Sequence, residues 1–437
     1  MGKDTRMRAR GTIHYGWVVI AMGTLTTVGA HGFGRMAFTP ILPHMIEGLR
    51  LTYTQSGLLG TGNFLGYLTS ALIGGFFASK YGTRIVISCS LVIMGISMML
   101  TGIVESFEFA LLMRILTGLG NGGAYVPAMA LGSAWFSRER RGLATGIVTS
   151  GIGLGTLVSG LVVPLILGVY GGEGWRFTWY WLGGAVLVIA GICASFIRSR
   201  PEDLGLAPVG SRSPGKKASS RGSTDSLDWR SIYRVKEVWH LGIVYLMYGF
   251  SYIIYMHFFS TYLEKEIGLT PMQAGILWAW AGGLSIFCGI IWGSISDFIG
   301  RRSGAALAYA TLALSYSLFA LCNSVTGFFL SAVVFGITAW SIPTIMAAAA
   351  GDYVGPRLAP AGLGFITLFF GIGQAIGPYV GGLFADVTDS FIISFILAAC
   401  VSVFGALGSL TLRRAVEKPE NGQNSLTKSA QINKVDE

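Results

Sequence analysis

The sequence predicts an all-α membrane protein with twelve transmembrane helices in two pseudo-symmetric six-helix bundles, and three observations carry this. Of 437 residues, 52% are apolar and only 12% charged, against about 25% charged in an average soluble domain. The apolar residues fall in runs of the length that crosses about 30 Å of hydrocarbon as a helix, about 20 residues each. The second half of the chain also repeats the first.

Runs bounded by charges or Gly/Pro clusters place spans near 15–46, 52–79, 83–104, 107–136, 141–170 and 175–198. A second set follows near 237–264, 270–298, 302–323, 325–351, 358–386 and 389–412. The division is therefore an N-terminal segment 1–14, a first bundle 15–198, a linker 199–236, a second bundle 237–412 and a tail 413–437. The linker is rich in Ser, Gly, Pro and charge and reads as a flexible loop. Glycine supplies 63 residues, about twice the usual share, which inside apolar runs points to helices packed backbone to backbone.

Charge position sets the predicted topology. Of the 31 Lys and Arg, Arg50, Arg176 and Lys265 fall on one side and Arg35 and Arg114 within spans; all the others fall on the opposite side. Cytoplasmic loops carry that excess, so both termini and the linker are expected in the cytoplasm of a cell whose inner (plasma) membrane holds the chain. The net charge of +10 is thus spread over inner loops, and no nucleic-acid partner is expected. The basic start leads into an apolar run without a small-residue cleavage site, so no cleavable signal peptide is expected.

Cys89, Cys193, Cys288, Cys322 and Cys400 each lie in an apolar run without C-x-x-C spacing, and all five read as buried packing residues. No metal, cofactor or catalytic Ser/His/Asp set is present in the pattern, so an enzyme is not expected. The glycine strings at Gly118–Gly122 and Gly151–Gly155 have no strand before them and no acidic residue at the spacing of a dinucleotide site.

The repeat is read in several places. LTYTQSGLL (51–59) matches LTPMQAGIL (269–277), and GFFASKYGTR (75–84) matches GSISDFIGRR (293–302) at the same offset. Pro127 matches Pro343, and Gly151-Ile152-Gly153 matches Gly371-Ile372-Gly373. Parallel repeats of this kind imply a transporter with a site near the midplane between the halves.

At Gly293–Arg302 the sequence resembles the major facilitator superfamily, whose loop between the second and third helices of a half reads G-x-x-x-D-x-x-G-R-R. The resemblance covers nearly the whole chain and implies alternating access gated by Gly293, Asp297, Gly300, Arg301 and Arg302. Asp297 ends a helix beside basic residues and can hold a neighbouring helix N-terminus. The first half departs from the pattern, with Ser79 where Asp is expected. Arg114-x-x-x-Gly118-x-Gly120-x-Gly122, followed by Arg140-Arg141-Gly142, is similar to the family's R-x-x-x-G-x-G-x-G helix.

In the first span, GFGRMAFTPILPHM resembles a bacterial subgroup called YbfB/YjiJ-like. Arg35 stands eight residues before Pro43, similar to organic-anion and organophosphate branches in which a first-helix arginine binds the substrate's anionic group. Those branches carry a second arginine nine residues before a Thr-Tyr-Leu. Here Thr261-Tyr262-Leu263 puts Tyr252 at that place, and the resemblance then implies a singly charged anion.

A guanidinium in a bilayer costs at least about 2.5–3.5 kcal/mol, so it is retained where it faces a cavity or a partner. Arg35 therefore either faces a cavity or snorkels to the outer interface. The cavity is preferred because the run continues through Phe38, Ile41 and Leu42. His31 lies one turn away on the same face. Arg114 carries either a structural role, on carbonyls or a tyrosine, or a transport role, and Asn121 follows it two turns on. Tyr248, Tyr252, Tyr255 and Phe259 share one face of the seventh span, with His257 opposite, so stripe and histidine are not expected to face the cavity together. The stripe is preferred, and His257 reads by default as a core histidine bonded to a carbonyl. Trp278, Trp280, Trp340 and Gln374 either line the second half or pack.

The substrate-binding set is thus Arg35, His31, Asn121, Tyr252, Tyr255 and Gln374, with Arg114 and His257 in coupling or structural roles. The expected activity is secondary transport of a small, monocarboxylate-like organic anion by a monomer in the lipid bilayer. No acid falls at mid-membrane, so proton coupling would need His31, His257 or the substrate's own carboxylate. Export of amphipathic compounds and a non-transporting sensor on the same fold are the alternatives.

Overall fold

The repeat seen in the sequence is a repeat of turns. Arg50 (φ 52°) and Gly268 (φ 79°) both take the left-handed conformation. Just beyond them Thr52 and Thr270 cap their helices, each in a capping box closed by the glutamine three residues on, Gln55 and Gln273. The same two helices end at Gly82 and Gly300, both at φ 87°, where a side chain would be strained. A computed structural model describes residues 14–137, 140–210, 233–355 and 358–412, with Pro360 in its backbone only. Most of the predicted N-terminal segment, the linker's central part, Arg138, Arg357 and the tail lie outside the described residues.

Followed through local irregularities, the described residues form twelve helical rods. α1 runs Tyr15–Thr27, through a π-helical stretch Val28–Met36, into Phe38–Leu49. α2 is Tyr53–Tyr81, α3 Thr83–Thr101, α4 Phe107–Trp135, α5 Arg141–Tyr170 and α6 Gly174–Phe196. α7 is Lys236–Thr261 with a π-turn Tyr262–Glu266, α8 is Pro271–Ile299 and α9 is Arg301–Leu321. α10 is broken into Val325–Thr338 and Ser341–Val354; α11 is Ala359–Thr388 and α12 Ile392–Leu410. Among the described residues eight segments are long and apolar enough to cross a membrane, one of them covering both α5 and α6. α1, α2 and α4, which carry His31, Arg35, Asn63, Arg114 and Asn121, are not among them.

Each half has its own apolar core, one built on α1–α6 and one on α7–α12 that Met36 and Ile152 of the first half join across the seam. The halves meet along α5 with α8, α2 with α11, and α1 with α7. Glycine makes these seams possible: a Cβ on Gly57 would stand 2.1 Å from the Pro378 carbonyl oxygen, and one on Gly275 would stand 2.3 Å from that of Gly160. α10 breaks where Pro343 leaves the Ala339 carbonyl without its helical donor, and the Tyr248 hydroxyl donates to that oxygen instead.

Two expectations are corrected. Residues 199–210 do not hang free after α6: Val209 pairs with Phe136 through N–H to Trp135 O (2.8 Å) and from Ser137 N–H (3.0 Å). Cys193 and Cys288 are buried and Cys322 is half-buried, but Cys89 and Cys400 are exposed on the outside of the bundle, where thiols behave as small apolar groups facing lipid.

Candidate functional site

The π-helical stretch of α1 holds Gly29, Gly32 and Gly34, with Ala37 N–H bonding Gly32 O at 2.8 Å over five residues. Such widened turns free carbonyls and re-aim side chains. Gly32 lies against Gly155 of α5, where a Cβ would come within 2.4 Å of the facing Cα. The stretch thereby sends Arg35 across the seam: its guanidinium donates to Gln374 Oε1 on α11 and to the Tyr252 hydroxyl on α7 at 3.2 Å. Tyr252 in turn donates to Gln374 Oε1 at 2.8 Å. Phe64 and Tyr67 flank the guanidinium, 5.5 and 6.0 Å from its carbon.

Arg35 also lines a void of about 30 Å³ with Thr39, Asn63, Arg114 and His257. That is space for water and not for an organic molecule. Arg114, 1% exposed, donates to the freed Gly34 carbonyl at 3.2 Å and lies 4.0 Å from the Phe38 ring centroid. Its Nε finds no partner among the described residues. The Asn63 amide donates to Arg114 O at 3.1 Å, tying α2 to α4 beneath the void.

Helix geometry decides which of the α7 residues join. At about 100° per residue, Tyr252 sits at the edge of the tyrosine stripe. Met256, Ile253 and His257 lie progressively round to one side, and Tyr248, Tyr255 and Phe259 round to the other. Tyr255 therefore turns into the second half's core, bonding Ser331 Oγ at 2.9 Å among Phe335 and Phe319. Tyr252 and His257 both reach the Arg35 region, which a strict choice between stripe and histidine did not anticipate. His257 has the carbonyl partner expected of it by default: Nε2 donates to Ser56 O at 2.9 Å, across the seam.

His31 packs against Tyr125 at 4.1 Å and Tyr67 at 5.6 Å, and its Nδ1 is buried without a partner among the described residues. Asn121 is fully buried, and neither amide atom has a partner among the described residues. Trp340 stands edge-on to Tyr252 at 6.2 Å, Trp278 is buried against Phe259, and Trp280 is half-exposed against Phe329 on the outside. Thr39, Asn63 and Phe64 were not singled out in the sequence. Only Asn63, an amide within an apolar run, carried a signal.

Further bonds clasp the halves at the predicted outer end. Asp386 accepts from Tyr53 N–H at 2.8 Å and Thr54 N–H at 2.7 Å, the exposed donors of the α2 N-terminus. His44 faces Glu264 at 3.2 Å and Lys265 pairs with Glu47. At the opposite end Asp297 pairs with Arg301 one turn on, and Arg301 reaches Asp352 at 3.4 Å and Ser296 Oγ at 2.7 Å. Asp297 is thus held within its own half, by α9, and Arg301 of the Gly293–Arg302 motif ties α9 to α8 and α10.

Two six-helix halves meeting around a half-buried arginine have the architecture of a transporter of the major facilitator superfamily. A bacterial homologue of the human lysosomal transporter Spinster, solved inward-facing and unoccupied, has the same fold: TM-score 0.76 at 19% identity, covering 92% of this chain and 98% of that one. Residues 27–410 match the family described as uncharacterised MFS-type transporter YbfB, and the chain belongs to that family. It is a multi-pass membrane transporter, not an enzyme. Among its relatives, the probable sulfoacetate transporter of Cupriavidus necator is 26% identical over 86% of this chain and 89% of the relative. The hexuronate transporter of Bacillus subtilis is 24% identical over 87% and 91%.

Proposed function

We propose that the chain is a secondary transporter of a small organic anion, in which Arg35 receives the anionic group at the seam between the halves. The observation that carries this is the half-buried Arg35 guanidinium, which has no carboxylate partner among the described residues and is held by two neutral groups, Gln374 Oε1 and the Tyr252 hydroxyl. A cation that a bilayer protein retains without a counter-charge is an anion receptor. The amide oxygen stands where a carboxylate oxygen would bind, so the substrate takes Arg35 from Gln374 and receives a hydrogen bond from Tyr252. Relatives named as a probable sulfoacetate transporter and a hexuronate transporter support this chemistry.

The cycle follows from the clasps. With both termini in the cytoplasm of an inner membrane, the clasped end is the outer one, and this conformation is closed to the outside. Breaking Asp386 from α2 and His44 from Glu264 rocks the halves and opens the site outward. The chain works as a monomer, since both halves of the site come from one chain.

A thermal-shift screen of purified protein against small carboxylates, sulfonates, phosphates and cationic drugs tests the reading, with Arg35→Gln in parallel. Stabilisation by an anion that vanishes in the variant is expected. Stabilisation by lipophilic compounds in both proteins would replace it with export of amphipathic molecules. Uptake with and without an inward proton gradient then separates symport from uniport.

A further inference from the structure

Arg35 is not the only guanidinium at the void. Arg114 lines the same 30 Å³ space from α4. Neither has a carboxylate within ion-pair distance among the described residues. The groups around them are neutral or aromatic: Thr39, Asn63, Phe38, Phe64, the Gly34 carbonyl and His257, whose Nε2 bonds Ser56 O. Arg114 Nε is buried and has no partner among the described residues. Tyr252, in place of a second arginine on α7, suggested a single positive charge; the fold supplies the second one from α4 instead.

We infer that the site is built for a dianion, with one anionic group on Arg35 and the other on Arg114. Two like charges facing one small void in low dielectric repel each other, and only an anion between them relieves this. A monoanion leaves one guanidinium uncompensated, whereas a molecule with two anionic groups a few bonds apart neutralises both. The unpartnered Arg114 Nε–H is the donor left for the second group, while Gly34 and Phe38 fix the plane of that guanidinium. For the void to admit such a molecule, Gln374 must release Arg35 and α7 must move back from α1, so selection by charge and opening of the seam occur in one step.

This rests on the anion reading of Arg35, and the test separates the two. Binding is measured on the purified full chain with pairs that differ by one charge at nearly constant shape: succinate, tartrate and sulfoacetate, each against its monomethyl ester. In wild type at least one dianion should bind about tenfold or more tighter than its ester. Arg114→Gln should bring that ratio to about one while the monoester still binds. Arg114→Lys, which keeps the charge, should preserve the preference and shows whether loss in the glutamine variant is loss of fold. An ester that binds as tightly as its dianion in wild type overturns the inference, and leaves the receptor role of Arg35 standing if Arg35→Gln abolishes both. Binding of none of the six, or binding unaffected by Arg35→Gln, overturns the anion reading itself.

Discussion

The Arg35 guanidinium on α1 donates to Gln374 Oε1 on α11, a contact 339 residues apart in sequence that joins the two halves at the site itself. The neutral amide is a place-holder for an anionic oxygen, and its charge can be altered without altering its shape.

Gln374→Glu puts a permanent carboxylate on Arg35. Charge-assisted pairing is about twice as strong as its neutral counterpart, so the variant should behave as though already occupied. It should melt at a higher temperature than wild type and gain no further stabilisation from anions. A variant that still responds to anions as wild type does would show that Arg35 is not where they bind.

The positions of Tyr252 and Tyr255 predict opposite results for the same substitution. Tyr252→Phe removes a hydroxyl bonded to Gln374 and should weaken anion binding about 5- to 10-fold, near 1 to 1.4 kcal/mol for one hydrogen bond. Tyr255→Phe removes a hydroxyl bonded to Ser331 in the second half's core and should leave affinity unchanged while lowering stability. Titration of the substrate against both variants checks this.

Asp386 caps the α2 N-terminus with two backbone N–H bonds. Asp386→Ala leaves those donors bare and removes the charge that favours them, so the clasped end should loosen. Spin labels at Arg50 and Asp389, on turns of opposite halves, should report a longer distance population in the variant than in its parent. Identical distributions would place the closing energy elsewhere on the seam.

Tyr248→Phe leaves the Ala339 carbonyl at the α10 break without its donor. The expected loss is about 1 to 3 kcal/mol of stability, read in chemical unfolding, with anion specificity preserved.

The architecture was legible because it is local and repeated. Capping boxes at Thr52 and Thr270 and the glycines Gly82 and Gly300 mark helix ends in the sequence as plainly as in the fold. Arg35 was legible because a charge in an apolar run has few purposes. What the sequence hid is rotation and convergence. A 100° wheel groups Tyr252 with Tyr255, yet Tyr252 is at the stripe's edge and only the packing of α1 and α11 decides which side of that edge meets Arg35. The partnership of Arg114 with the Gly34 carbonyl depends on a π-turn that no periodicity announces, and the Asp386 clasp joins residues more than three hundred positions apart.

The most direct test of the central claim is uptake of a labelled anion, chosen from the stabilising class, into proteoliposomes containing wild type or Arg35→Gln. Saturable uptake by wild type, lost in a variant that remains monodisperse, is the predicted result. Equal uptake by the two proteins would contradict the role given to Arg35.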